Sequence, residues 1–378
     1  MDRVMFPAFN EIDTPAYVVD EEALTVNLRI LKEVKDKSGA RILLAQKAFS
    51  MFSLYPLIME YLDGTTSSGL YEARLAHEET GGQVHVYSPA YKEDEIRELA
   101  GIADHIVFNS ASQLLKYKDI CDGVSLGLRI NPECSTQDTP IYDPCAPGSR
   151  LGVTKDNFDE SLLEHIEGFH IHTLCEQNAD ALKVTLDAFC DKFGKYLHGL
   201  KWLNLGGGHH ITREDYDRSL LIDLVKGIRD KYGLEVFLEP GEAVALNAGY
   251  LVCEVMDIVK NGYDIAILDA SAACHMPDVL EMPYRPPLCD SGYPSDKAYT
   301  YRLAARTCLA GDIIGDYSFD RPLQEGDRLC FRDMAIYSMV KNNTFNGMPL
   351  PDICILRKDG SVDLIKKFAY DDFKGRLS

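Results

Sequence analysis

Apolar, β-rich runs recur along the first two thirds of the chain, each followed by a helical or polar stretch. They are Arg41–Gln46, Thr65–Ser68, Val84–Tyr87, His105–Phe108, Val124–Ile130, Glu167–His172, Lys201–Leu205 and Glu235–Glu239. Between them Asp156–His165, Asn178–Leu197 and Arg213–Tyr232 carry apolar residues near the helical period, as at Leu220, Leu224 and Ile228. Strands that alternate with helices pair in parallel, and eight such units in about 200 residues predict a (β/α)8 barrel. A helix over Glu21–Lys37, with Leu24, Leu28 and Leu31 on one face, precedes the first barrel strand.

After Pro240 the pattern changes. Tyr250–Val259, Asp264–Ala270, Tyr299–Leu309, Asp327–Phe331, Ala335–Val340, Ile353–Arg357 and Val362–Lys367 read as strands with few helical stretches between them, and Pro15–Asp20 reads the same way. The expectation is an α/β chain: a barrel over residues 21–248 and an all-β, barrel-like domain built from residues 1–20 and 249–378. Two long Pro- and Gly-containing loops, Asn131–Gly148 and Met282–Pro294, are candidates for lids or interface loops.

Composition narrows the functional classes. No uncharged run approaches the ~20 residues that a membrane helix needs, and MDRVMFPAFNEIDTPAYVVD has neither a basic-then-apolar leader nor a transit-peptide composition. A cytoplasmic location is expected. Eleven cysteines, an odd number without CxxC spacing, read as reduced thiols rather than a disulfide framework or zinc ribbon. Thirty-nine Lys and Arg against fifty-nine Asp and Glu give a formal charge of −20. Acidity is a common route to solubility, but such a field also repels nucleic acid and favours a polyamine-like cation.

In such barrels the site lies at the C-terminal ends of the strands. The first run ends in Lys47. An ammonium behind an apolar run is costly unless it is paired or reacts, as in a Schiff base with an aldehyde; a solvated rim lysine is the plain alternative. The sixth ends in His172, with His170 on the same face, which suits a metal pair, a ring stacked on a cofactor or two satisfied polar groups. The seventh runs into Gly206-Gly207-Gly208, whose N–H groups can approach an anion unobstructed. The eighth ends in Glu239-Pro240-Gly241, and a buried carboxylate there needs a cation or a proton. An amine, a ring, a phosphate cradle and a carboxylate for a pyridine nitrogen together match pyridoxal 5'-phosphate.

The fragments TPAYVVD, LLAQKAF, SRLGV, GFHIHTLCE, LNLGGG, FLEPGE, ILDASAACHMPDVLEMPYRP, CLAGD and DMAIYS, in that order, resemble the pyridoxal-phosphate decarboxylases of the alanine-racemase fold, fold type III. That family includes ornithine and diaminopimelate decarboxylases. The likeness covers nearly the whole chain and is strongest to the branch that converts carboxynorspermidine or carboxyspermidine to norspermidine or spermidine. It implies a carboxy-lyase of polyamine biosynthesis in which Lys47 binds the cofactor aldehyde, His172 stacks on the ring, Gly206, Gly207 and Gly208 hold the phosphate and Glu239 pairs with the ring nitrogen. Tyr337 would reach the phosphate. Cys308 would enter the partner subunit's site, which implies a homodimer with shared active sites, and Asp312 would contact substrate.

Two motifs depart from the relatives. EPGE replaces EPGR, so Glu242 stands where a cation is expected, and HTLCE replaces HxGS. Glu242 and Asp278 suit a carboxylated polyamine with separated protonated amines. An acid at the ring nitrogen, where racemases of this fold place an arginine, argues for decarboxylation over racemisation. Diaminopimelate or another basic amino acid is the alternative substrate. A metal-dependent barrel hydrolase using His170 and His172, or a non-catalytic regulator, are the readings from other classes. His209 and His210 read as a turn pair near the phosphate, and Trp202 as core.

Overall fold

The computed structural model describes residues 5–378. Its strands, numbered in chain order, are β1 (Ala16–Asp20), β2 (Arg41–Ala45), β3 (Gly64–Ser67), β4 (Gln83–Tyr87), β5 (His105–Phe108), β6 (Ser125–Arg129), β7 (Gly168–His170), β8 (Trp202–Asn204), β9 (Glu235–Leu238), β10 (Gly249–Asn261), β11 (Tyr263–Leu268), β12 (Tyr299–Ala305), β13 (Ile313–Phe319), β14 (Arg328–Arg332), β15 (Asp352–Leu356) and β16 (Val362–Lys366). Strands β2 to β9 form a closed barrel, parallel throughout. The ring closes where Arg41 and Ile42 meet Phe237 and Leu238. Each barrel strand lies on a run that the hydrophobic pattern marked.

The barrel interior decides which residues reach its mouth. Leu43, Val107, Trp202 and Phe237 form an apolar cluster. Gly127 and Gly168 leave room for the Trp202 indole, because a Cβ on either would come within 2.3 Å or 2.0 Å of its ring atoms. Trp202 is core, as expected. Side chains two residues apart share a strand face, so the groups beyond these interior positions line the mouth: Lys47 beyond Leu43, Arg129 beyond Gly127, His170 and His172 beyond Gly168, Asn204 beyond Trp202, and Glu239 beyond Phe237.

The helices show where pattern alone misleads. Glu21–Ser38 forms as expected, with Leu24, Leu28 and Leu31 buried and Asp20 Oδ1 accepting from the Glu22 and Ala23 N–H groups, both at 3.0 Å. The third helix begins at Arg218 rather than Arg213, because Asp217 caps it by accepting from Leu220 N–H at 2.9 Å. Asp156–His165 holds two 3-10 turns, Lys155–Asn157 and Glu160–His165, separated by extended backbone at Phe158.

The chain divides into two compact units, one of Val26–Val244 and one of Ala245–Ser378 with the described residues up to Thr25. The second unit is an eight-stranded mixed sheet in the order β13-β12-β11-β10-β1-β15-β16, with β14 also pairing with β10. β1 runs antiparallel to β10 and parallel to β15, so the sheet joins both ends of the chain. It is buried on two faces: Tyr17, Leu251 and Cys253 enter one core, and Ala16, Val18, Tyr250 and Val252 the other.

One strand expectation fails here, and one strand forms where none was expected. Ala335–Val340 is irregular, because Asp333 and Tyr337 have positive φ values of 59° and 47°, which end any extended run. β13 was not expected, and Gly315 interrupts its apolar pattern.

Candidate active site

At the barrel mouth Glu239 is 6% exposed and fully hydrogen-bonded. Its Oε1 accepts from Asn204 Nδ2 at 2.7 Å and its Oε2 lies 3.2 Å from His170 Nε2. Burial pushes the Glu239 pKa up, but His170, Asn204 and His85 together outweigh it and bring it to about 2. Burial also depresses His170 despite the carboxylate beside it. The arrangement that satisfies both is a carboxylate anion accepting from a neutral imidazole that carries its proton on Nε2. The opposite nitrogen, His170 Nδ1, then has no partner among the described residues.

Lys47 and His172 keep accessible side-chain surface, yet both have depressed pKa values. Loss of bulk solvation is the main cause for each, followed by the charge of Arg129 for Lys47 and of Lys47 itself for His172. Accessible surface combined with desolvation marks side chains that face an interior hollow, not a rim. Arg129 is buried, donates through Nη2 to the His172 carbonyl at 3.1 Å and lies over the Tyr87 ring at 4.5 Å.

The glycine turn has two left-handed positions, Gly206 at φ 68° and Gly208 at φ 81°. Added Cβ atoms at Gly206, Gly207 and Gly208 would fall 2.5, 2.4 and 2.1 Å from backbone oxygens, so packing demands all three glycines. Gly206 N–H donates to Asn204 Oδ1 at 2.8 Å and Gly207 N–H to His172 Nδ1 at 3.2 Å. Gly208 and Gly241 N–H have no partner among the described residues and remain available to an anion. A reachable, desolvated amine, a ring held by its Nδ1, free N–H groups and an orphaned imidazole nitrogen beside a carboxylate fit pyridoxal phosphate.

Among the described residues two clusters carry metal-ligand residue types: His170, His172 and Glu239, and Glu176, His210 and Glu242. In the first, His170 Nε2 and His172 Nδ1 are engaged as described. In the second, Arg213 Nη1 lies 3.4 Å from His210 Nδ1, and His210 Nε2 lies 3.2 Å from Glu242 Oε2 without forming a hydrogen bond among the described residues. The cluster also unites the two motif departures, since Glu176 belongs to HTLCE and Glu242 to EPGE.

In the sheet unit Asp278 Oδ1 meets Lys341 Nζ at 2.5 Å, and the same ammonium reaches Glu281 Oε2 at 2.7 Å. Asp312 is 3% exposed, and its carboxylate accepts from Ser271 Oγ, Thr307 Oγ1 and Ala273 N–H at 2.7, 2.6 and 3.2 Å. Cys308 is the one exposed cysteine of the eleven, all of which are free. Tyr337 is half-buried on its positive-φ turn.

Sequence reasoning passed over Arg129 and Asn204. Both were findable: each is the polar last residue of a buried barrel strand, at LGLR and WLN.

The chain belongs to the pyridoxal-dependent decarboxylases: the family described as "Pyridoxal-dependent decarboxylase, C-terminal sheet domain" matches residues 16–335. It is therefore a pyridoxal-phosphate-dependent carboxy-lyase, and the hydrolase and regulator readings fall away. It is 44% identical to the carboxynorspermidine/carboxyspermidine decarboxylase of Campylobacter jejuni, over 97% of this chain and 99% of that protein. Identity to the carboxyaminopropylagmatine decarboxylase of Synechocystis is 42%, over 98% and 97% of the two chains. The crystal structure of carboxynorspermidine decarboxylase from Campylobacter jejuni, complexed with norspermidine, superposes with a TM-score of 0.91 at 43% identity, covering 97% of this chain and 100% of that one. No helix among the described residues is long and apolar enough to cross a membrane.

Proposed function

We propose that the chain decarboxylates carboxynorspermidine or carboxyspermidine, as a cytoplasmic homodimer with shared active sites. The observation that carries this reading is the Glu239 anion, held by His170 and Asn204 at the barrel mouth that Lys47 also lines. Near-full-length identity to a decarboxylase of these substrates supports the substrate class.

When bound, pyridoxal phosphate supplies an electron sink for the charge left by loss of CO2. Lys47 holds its aldehyde, and a depressed pKa keeps a larger share of that amine neutral and nucleophilic. His172, with Nδ1 fixed by Gly207 N–H, presents a flat face to the ring. Gly206, Gly207 and Gly208 shape the phosphate turn, with Tyr337 as a further phosphate contact. Glu239 keeps a proton on the ring nitrogen. Cys308, delivered to the partner's site, returns a proton to the carbon that loses CO2. Glu242 and Asp278 offer anionic contacts to the substrate's amines, and Asp278 must exchange Lys341 for such an amine.

Carboxyaminopropylagmatine is the second reading, favoured by the comparable identity to a decarboxylase of that compound. It ends in a guanidinium where carboxynorspermidine ends in an ammonium, and the two cations differ in shape and donor geometry. Competition between the two substrates on purified enzyme decides the matter. A kcat/KM at least about ten-fold higher for carboxynorspermidine or carboxyspermidine is expected, the discrimination of roughly 1.4 kcal/mol that a shaped pocket readily supplies. Preference for the guanidino substrate overturns the first reading, and preference for diaminopimelate overturns both.

A further inference from the structure

The segment around Cys308 is irregular, yet several hydrogen bonds fix it. Cys308 N–H donates to Asn346 Oδ1 at 2.8 Å. On the same flank Thr307, the preceding residue, donates through Oγ1 to Asp312 Oδ2 at 2.6 Å. The same carboxylate takes Ser271 Oγ and Ala273 N–H, and Asn343 ties in a third segment by donating through Nδ2 to the Ala273 carbonyl at 2.8 Å. Three stretches distant in sequence, 271–275, 307–312 and 343–346, therefore meet around one buried carboxylate. Asn346 stands in the left-handed region at φ 60°, a conformation that asparagine tolerates better than most residues.

We propose that Asn346, Thr307 and Asp312 are positioning residues that hold the backbone leading into Cys308 and so fix the direction in which its thiol is presented. The inference rests on the assignment of Cys308 as the proton donor. It also gives Asp312 a different task from substrate contact. With three donors on its two oxygens, little acceptor capacity is left for an amine, whereas a saturated buried carboxylate is well suited to locking loops together. Proton return to carbon depends on placement, and a misplacement on the order of 1 Å costs as much as 10²-fold. A cradle that fixes the backbone leading into Cys308 acts on that placement while leaving substrate binding alone.

Full-length holoenzyme carries the test, with two substitutions at position 346. Asn346→Gly keeps the left-handed backbone and removes the acceptor, and Asn346→Asp keeps both. Asn346→Gly should lower kcat roughly ten-fold with KM little changed, and Asn346→Asp should recover most of it. In a Cys308→Ala background, Asn346→Gly should add almost nothing, because its effect passes through the thiol. Asn346→Gly with wild-type kcat, or with an undiminished ten-fold loss in the Cys308→Ala background, overturns the proposal. A fully active Cys308→Ala protein removes the thiol's role, and the positioning role with it. A slow Cys308→Ala beside a fast Asn346→Gly leaves the thiol assigned and rejects the positioning alone. Thr307→Val, which removes the hydroxyl at nearly constant volume, should reproduce the Asn346→Gly pattern at smaller size.

Discussion

The two units set up their chemistry differently. In the barrel, every group at the mouth stands on a strand or one or two residues past its end, so the two-residue alternation that buries Leu43, Trp202 and Phe237 also aims Lys47, Asn204 and Glu239. In the sheet unit, Asp278, Cys308, Asp312 and Tyr337 lie outside its strands, on short helices and turns. Side-chain hydrogen bonds and positive-φ residues direct them instead. Register fixes a whole set of side chains at once, whereas turns are fixed one bond at a time. The barrel site should therefore tolerate peripheral change and fail at its reactive groups, while the sheet unit's groups should be sensitive to their supports.

The largest effect expected is at Lys47. Lys47→Ala should remove the visible absorbance of lysine-bound cofactor and lower turnover by roughly 10³-fold or more, with far-UV circular dichroism unchanged because the side chain faces a hollow instead of core. Mixed under exchange conditions with a Cys308→Ala protein, it should regain part of the activity through one intact shared site. Retained turnover in Lys47→Ala would refute the cofactor assignment, and heterodimers without recovery would reject shared sites.

This difference between the units also explains how far the sequence could be read. The barrel's strand ends were legible because apolar runs mark strands and the polar residue that ends each run stands out, as Lys47, His172 and Glu239 do. Arg129 and Asn204 obey the same rule; Arg129 lies outside the motif fragments, and Asn204 stands inside LNLGGG, where the three glycines carried the reading. In the sheet unit Ala335–Val340 has strand-like composition, and nothing local announces the positive φ at Tyr337. The partners of Asp312, Ser271 and Ala273, lie about forty residues away in sequence, and those of Cys308 and Asp278, Asn346 and Lys341, are as remote. Spacing along the chain carries no record of such pairings. The meeting of Glu176 with Glu242 at His210 was hidden for the same reason, although both departures were visible one at a time.

Acid should separate the units next. Among buried histidines with depressed pKa values the barrel unit has His85, His105, His170 and His209, the last brought to about 4, all chiefly through burial. The sheet unit has His275 alone, also at about 4. A histidine with a folded pKa below its unfolded value of about 6.5 gains a proton more readily when unfolded. Its stabilising contribution is therefore complete above that pH and is lost as pH falls towards the folded pKa, at about 1.4 kcal/mol per pH unit. Between pH 6.5 and 5.5 His209 and His275 should each withdraw about 1 kcal/mol from their own unit, and the barrel should lose more than the sheet unit because His85, His105 and His170 are depressed as well. Hydrogen exchange resolved by peptide measures both at once. Equal acid sensitivity of the two units would show that the buried imidazoles do not govern the barrel's stability.

The sharpest probe of register as a way to build a site is Glu239→Gln, whose effect is expected to be smaller than that of Lys47→Ala. The carboxylate accepts from Asn204 Nδ2 through one oxygen and from His170 Nε2–H through the other. A glutamine amide can keep its oxygen towards Asn204, which turns its NH2 towards His170. A fixed Nε2–H would clash with that donor. His170 Nδ1, however, has no partner among the described residues, so the imidazole can move its proton there and accept from the amide instead. The substitution then removes charge and keeps geometry. Stability at pH 7 should change by no more than about 1 kcal/mol, because one hydrogen-bonded pair replaces another. kcat/KM should fall by roughly 10²-fold, the size of effect seen when a single preorganised electrostatic group is removed from a site, and the cofactor absorbance should survive, unlike in Lys47→Ala. Should the variant retain wild-type kcat/KM, the ring nitrogen does not depend on Glu239. Should it unfold instead, the His170 proton is not free to move, and the barrel mouth is built on that one tautomer rather than on strand register.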